Sequence, residues 1–391
     1  MSAPAIDLLD VNLFLERREH EAFRILRDQA PVYFNREVDG PGFHAVTRYE
    51  DISETVRRTE LFSSAKGTQI KDRKAEGHGT ASVHNSDPPY HTKLRAFAEP
   101  SFRRKLVEGL APRIRATVNS LLDDCPRGET FDFVIRFATL LPMIVIGDLL
   151  GVPKPDQRQM VNWANAVSDV FATEEQQAEA RAGLFAFFRR LVALKRVEPG
   201  DDVATVLAHE KVNGELLTDG ELDAYFMVLS AAGNETTRFL ISGGLEQLCL
   251  QPDTLEQLRR APELIPNAVE EMIRWVAPVM QMRRTALADA EIAGYPVRAG
   301  DKVVLYFASA NRDERKFADA GQFSVTRTTN PHLGFGKGAH FCLGAHLARL
   351  ESQIFFEILF DRVADVQLKG LGTKLPSYLF SGYTHLPVEW K

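Results

Sequence analysis

The run Phe335-Gly336-Lys337-Gly338-Ala339-His340-Phe341-Cys342-Leu343-Gly344 sets one cysteine among three glycines, two phenylalanines and a histidine, just ahead of an apolar helical pattern at Leu347, Leu350, Ile354 and Phe355. A sulfur so placed is a candidate metal ligand. The N-terminus of the following helix, and backbone N–H groups pointed at sulfur, favour its thiolate form. Glycines permit a tight turn through positive φ and let a flat macrocycle approach with no Cβ in the way. With glycine at about 7% of residues, three at fixed offsets arise by chance at roughly 3 in 10,000 positions, so the segment is not an arbitrary buried cysteine. Cys125 and Cys249 match no zinc-type spacing, lie among apolar residues and read as core.

A second group of polar residues, Ala232-Gly233-Asn234-Glu235-Thr236-Thr237, sits inside an apolar helical segment from Thr218 to Leu250. Glycine costs a helix interior about 1 kcal/mol relative to alanine, and threonine loses rotamer freedom there. The cluster is therefore locally unfavourable and needs another reason. Glu235 and Thr236 can hold water and move protons, and Gly233 would leave room for a ligand against the helix. Thr218 and Glu221 stand in the relation of a capping box, and Pro252 closes the other end. A helix this long traverses a domain.

The elements around these groups are mostly helical. Between Pro88 and Pro278 the apolar positions fall mainly at helical spacing. A small sheet is expected near the N-terminus, between Phe43 and Phe62, with a helix from Tyr49 to Arg58 inside it. Strand-like segments follow at Ala290 to Val297 and Lys302 to Tyr306, then a loop from Asn311 to Lys337 and a last helix towards Phe360. No repeat, low-complexity tract or linker divides the chain. Its 391 residues, 45% hydrophobic and 26% charged, are those of a globular protein. A net charge of −6 argues against nucleic acid as a partner. The start of the chain does not read as a leader, and no apolar run reaches the roughly 20 residues that cross a bilayer, so a cytoplasmic protein is expected, with no membrane partner.

The cysteine segment fills every specified position of the pattern Phe-Gly-x-Gly-x-His-x-Cys-x-Gly, and by it the chain resembles the cytochrome P450 family. The likeness extends from about Phe43 to Val388. From Met282 to Phe360, including Arg284-Thr285-Ala286-Leu287, it is nearest to members that hydroxylate monoterpenes, with steroid-oxidising members further off.

The resemblance implies a mainly α fold with a small β portion. It would be a single large domain over residues 1–391, with haem b between the long central helix and the helix after the cysteine. It implies that Cys342 ligates the iron, with Phe335, Gly336, His340 and Gly344 shaping the loop. Glu235 and Thr236 would form an acid-alcohol relay for protons. His91 and Arg95, four residues apart on one helix face, would bind the propionates with Arg284 and His340, Arg283 being the nearest rival to Arg284. Glu271 and Arg274 would form a structural ion pair behind the loop. Gln322 stands where the family commonly has the third, basic partner, and Arg327 is the candidate substitute. Phe226, Leu229, Gly233, Val279, Met282, Leu379 and Phe380, with the loop between Ser64 and Asp87, would line an apolar pocket.

The activity so implied is hydroxylation of a small apolar substrate, terpenoid or steroid-like, by a monomer using O2 and two electrons. The electrons would come from a separate ferredoxin-type carrier with its reductase, docking at Lys337 and Arg103-Arg104-Lys105. A peroxide-driven enzyme of the same fold would not need the acid-alcohol pair. A haem gas sensor would be expected to carry a signalling domain.

Overall fold

The capping box at Thr218 forms as expected. The Thr218 N–H donates to Glu221 Oε2 at 2.8 Å, and the Glu221 N–H donates to Thr218 Oγ1 at 3.3 Å. In the computed structural model, which describes residues 5–71, 82–168, 172–211 and 214–391, the helix that starts there runs from Asp219 to Cys249. Its 31 residues span about 46 Å at about 1.5 Å per residue. It packs on helices Leu140–Leu150, Glu174–Val197, Ile265–Val276 and Ala345–Arg362, so that apolar residues on several of its faces, from Leu222 to Leu248, are buried. A helix apolar around most of its circumference can sit only in the middle of such a layer.

The small sheet is larger than expected and mostly non-local. Its strand order is Val32–Asn35, Phe43–Val46, Lys302–Leu305, Met282–Ala286, Phe62–Ser63. Phe43–Val46 and Lys302–Leu305 are parallel, with Phe43 opposite Lys302, and the other pairs are antiparallel. Val32–Asn35 carries no clean alternation and was not expected as a strand. The expected strand from Ala290 to Val297 is a hairpin, Ala290–Ile292 paired only with Tyr295–Val297. The helix expected from Tyr49 to Arg58 is shorter, Tyr49–Thr55.

Among the described residues the stretch between Pro88 and Pro278 holds one strand that the helical periodicity conceals. Phe131–Asp132 pairs with Pro387–Val388, and Pro387–Trp390 pairs in turn with Val366–Leu368. Cys125 is buried in the main core, and Cys249 places its sulfur 3.9 Å from the Val366 carbonyl. Burial pushes the two thiols up to about 11 and about 12, as core residues rather than reactive ones. Among the described residues no helix is long and apolar enough to cross a membrane.

Candidate active site

The cysteine loop is built by two glycines in the left-handed region, Gly336 at φ +68° and Gly338 at φ +73°. The Gly336 N–H donates to Leu333 O, and the Cys342 N–H returns to Phe335 O, both at 2.9 Å. A Cβ on Gly338 would come 3.2 Å from the Val56 carbonyl oxygen, so close backbone approach adds to the φ requirement. Gly344 is different. It caps the helix Ala345–Arg362 with an ordinary φ of −83°, and a Cβ there would meet nothing within 4 Å. Cys342, two residues earlier, lies deep in the molecule and is nonetheless exposed, as a group facing an internal space must be. Burial pushes this thiol up, opposed by the Gly344 N–H and by the positive charges of Arg95 and Arg349.

One wall of that space is cationic. Helix Tyr90–Ala98 begins after the two prolines, as expected, and presents His91 and Arg95 together. The His91 and His340 rings lie 4.2 Å apart, and the His91 nitrogens are buried with no hydrogen-bond partner among the described residues. Arg95 donates to the carbonyls of Phe341 at 2.8 Å and Ala339 at 3.4 Å, so it also fastens the cysteine loop. Arg284 is buried, which pulls its guanidinium down to about 10 against the opposing charge of Asp87. Burial, then the charge of Arg284, pulls His340 down to about 3.

Between the rival arginines, Arg284 is the one that acts on His91 and His340. Arg283 points to the other face of the strand, towards the carbonyls of Gln69 and Ile70. Asp87 and Ser64, expected only as the bounds of a pocket loop, join this group. Asp87 accepts from the Ser64 N–H at 2.7 Å and from the Ser63 hydroxyl, and Ser64 Oγ lies 3.3 Å from His340 Nε2.

Behind the loop, Glu271 and Arg274 are wholly buried and form two parallel bonds of 2.7 and 2.8 Å. Arg327 is the third partner, its Nε 3.1 Å from Glu271 Oε2. Gln322 contributes its carbonyl to both arginines instead of a charge. Glu270 was unforeseen. It bridges His332 at 3.0 Å and Arg349 at 2.6 Å, which holds its carboxyl down at about 2. Arg349, on the helix after the cysteine, lies 4.5 Å over the Phe335 ring. The acid thus ties two helices and the loop's first aromatic together, and its proximity to Glu271 in sequence had disguised it.

On the central helix Leu229, Ala232 and Thr236 share one face by their spacing. Ala232 is exposed at the middle of this helix, so the face opens on an internal space. The Thr236 hydroxyl donates to the Ala232 carbonyl at 2.7 Å. Glu235 pairs with Arg238 at 3.6 Å, an ion pair missed in the sequence because such i,i+3 pairs decorate ordinary helices.

Two of the expected pocket residues pack against neighbouring helices. Phe226 is buried and stacks on Phe188 at 4.5 Å, because its side of the helix meets helix Glu174–Val197, where it borders a cleft also lined by Arg189, Val192 and Leu222. The missing side chain of Gly233 makes way for Ile146, whose Cδ1 would be 2.5 Å from a Cβ, so this glycine serves helix–helix approach rather than a ligand. The remaining wall is assembled from distant segments. Val279 bridges Phe380, the Met280 N–H donates to Leu379 O at 2.9 Å, and Met282 opens the adjoining strand. Phe380 packs on Phe239 of the central helix at 5.9 Å. Of the loop between Ser64 and Asp87, residues 72–81 lie outside the described residues.

These residues fit an anionic macrocycle carrying a metal. The thiol faces open space, a glycine leaves that space clear, and buried His91 and Arg284 supply hydrogen-bond donors and positive charge for carboxylates. A mainly helical layer around one long helix, with a cysteine loop facing such a space, is the architecture of a haem-thiolate protein.

The comparisons agree. The cytochrome P450 family model matches residues 129–364. Linalool 8-monooxygenase of Pseudomonas putida is 37% identical over 98% of both chains. Steroid C26-monooxygenase of Mycobacterium tuberculosis is 38% identical over 99% of this chain and 97% of its own. A Mycobacterium marinum cytochrome P450 solved in complex with pseudoionone superposes with a TM-score of 0.90 at 33% identity, over the full length of both chains. The chain belongs to the cytochrome P450 family, whose members carry iron protoporphyrin IX, and it is a haem monooxygenase.

Proposed function

We propose that Cys342 ligates the haem iron and that the enzyme hydroxylates an apolar terpenoid or steroid-sized substrate, working as one unit over residues 1–391, as a cytoplasmic monomer. The observation that carries this reading is the deep but exposed Cys342 thiol beside a cationic wall of Arg284, His91 and Arg95. Bound haem supplies the oxygen chemistry, cleaving O2 with two electrons and two protons and inserting one atom into a C–H bond.

The protein residues do the rest. His91, Arg95, Arg284 and His340 hold the propionates, while Phe335, Gly336 and Gly344 keep the backbone clear of the ring. The Gly344 N–H and Arg95 stabilise charge on sulfur. The Thr236 hydroxyl, whose proton is hydrogen-bonded to the Ala232 carbonyl, turns that proton towards the reaction centre, and Glu235, ion-paired with Arg238, takes up a proton from bulk water and hands it on to replace the one given. Leu229, Val279, Met282, Leu379 and Phe380 exclude water and present the substrate. The relatives named for linalool and steroid oxidation support the substrate class.

Electrons come from a ferredoxin-type carrier with its own reductase. Arg103, Arg104 and Lys105 are exposed beside exposed Leu106, on a short helix packed against Ala345–Arg362. Lys337 lies near Arg57, Glu50 and Lys316, over the Tyr49 ring. The test of ligation is the reduced protein under CO. A red-shifted Soret band marks the thiolate ligand, and a Cys342→His variant should move it to the blue. An unshifted band in the parent protein would sink the assignment.

A further inference from the structure

Arg283 and Arg284 are neighbours on strand Met282–Ala286, yet their side chains leave opposite faces of it, as alternation requires. Arg284 faces the cationic wall described above. Arg283 faces the chain that leads away from Ser64. Its guanidinium Nη1 donates to Gln69 O at 3.4 Å and Ile70 O at 3.3 Å, and its Nη2 donates to Thr285 Oγ1 at 3.2 Å. Its backbone N–H donates to Thr68 O at 2.8 Å. The side chain thus holds two successive residues of one loop, and the main chain a third, while the residue is 3% exposed.

That loop borders the internal space. Phe62–Ser63 pairs with the far end of the same strand, Ser64 reaches His340, and Thr68 Oγ1 donates to Asn85 Oδ1 at 3.3 Å. Asp87 fixes Ser63 and Ser64 from the other end. Ile70 is also buried in the apolar cluster that holds Met280 and Val304, and among the described residues Arg283 is the cationic donor to this loop, beside neutral groups and Asp87. Charge-assisted bonds to carbonyls are about twice as strong as neutral ones and are least replaceable when buried.

We infer that Arg283 is a positioning residue for the substrate side of the pocket: its guanidinium fixes residues 69 and 70 and so sets pocket shape, without touching the cofactor. This rests on the haem-site reading above, and it divides the two arginines by role, Arg284 for cofactor retention and Arg283 for pocket fit.

The test uses holoprotein and two azoles that ligate iron, imidazole and 4-phenylimidazole. The first reads the iron alone, and the second adds a phenyl ring that meets the pocket wall. In Arg283→Ala, imidazole affinity should stay within about twofold while 4-phenylimidazole weakens about tenfold. Arg283→Lys, which keeps the charge and loses the fork, should fall between. If Arg283→Ala does not accumulate as holoprotein, the lysine variant decides alone. Equal changes for both azoles, no change for either, or haem loss matching that of Arg284→Met would overturn the inference. Full haem retention by Arg284→Met would instead remove the propionate role of Arg284 and leave the azole comparison standing.

Discussion

Glu271 and Arg274 form a two-bond ion pair with no solvent exposure on either side chain, three residues apart on helix Ile265–Val276. Around it, Arg274 Nη1 donates to Asn311 O at 2.8 Å and Ala320 O at 3.0 Å, and Glu271 accepts from the Ser324 N–H at 2.8 Å. The pair therefore organises the loop that delivers the cysteine segment. Glu271→Gln strands a buried guanidinium and should cost about 3–5 kcal/mol. The measurement is denaturant unfolding together with haem content. Arg327→Met leaves the main pair intact and should cost about 1–2 kcal/mol. Equal losses in the two variants would contradict this ranking.

Glu270 gives a pH signature. Its carboxyl, held at about 2 by His332 and Arg349 against burial and against an ordinary value of 4.5, binds fewer protons folded than unfolded. Its contribution is complete above pH 4.5 and is lost as pH falls towards about 2. Glu270→Gln should then destabilise the protein by about 2 kcal/mol at pH 6, with the gap from wild type narrowing steadily towards pH 3. A gap independent of pH would show that the hydrogen bonds matter and the charge does not.

The relay residues should separate electron use from product. Thr236→Ala removes the hydroxyl that now donates to Ala232 O. Reductant consumption should continue while hydroxylated product falls and peroxide rises, and Thr236→Ser should recover most of the coupling. Glu235→Gln should slow turnover about 100-fold and enlarge the solvent isotope effect. Unchanged coupling in Thr236→Ala would place the protons on another route.

Carrier docking should depend on salt. Reversing Arg103 and Lys105 to glutamate should lower the rate constant for electron delivery about tenfold at low ionic strength and flatten its salt dependence. Arg104 already pairs with Glu108 at 2.7 Å and should contribute less. Stopped-flow reduction across a salt series checks both statements.

Local chemistry was legible in the chain itself. The glycine offsets around Cys342, the capping box at Thr218 and the i,i+4 pair His91 and Arg95 depend on residues close in sequence, and short-range geometry decides them. What stands far apart was not legible. The parallel pairing of Phe43–Val46 with Lys302–Leu305, the meeting of Asp87 with Ser63 and Ser64, and the bridge from Val279 to Phe380 join segments that carry no mark of one another.

The choice of Arg284 over Arg283 needed the strand's facing, which a one-residue slip reverses. Phe226 and Gly233 lie on the helix that also bears the relay, but only packing against Phe188 and Ile146 shows that their sides meet protein. Periodicity states that a helix has faces, and the neighbours brought by the rest of the chain decide what each face touches.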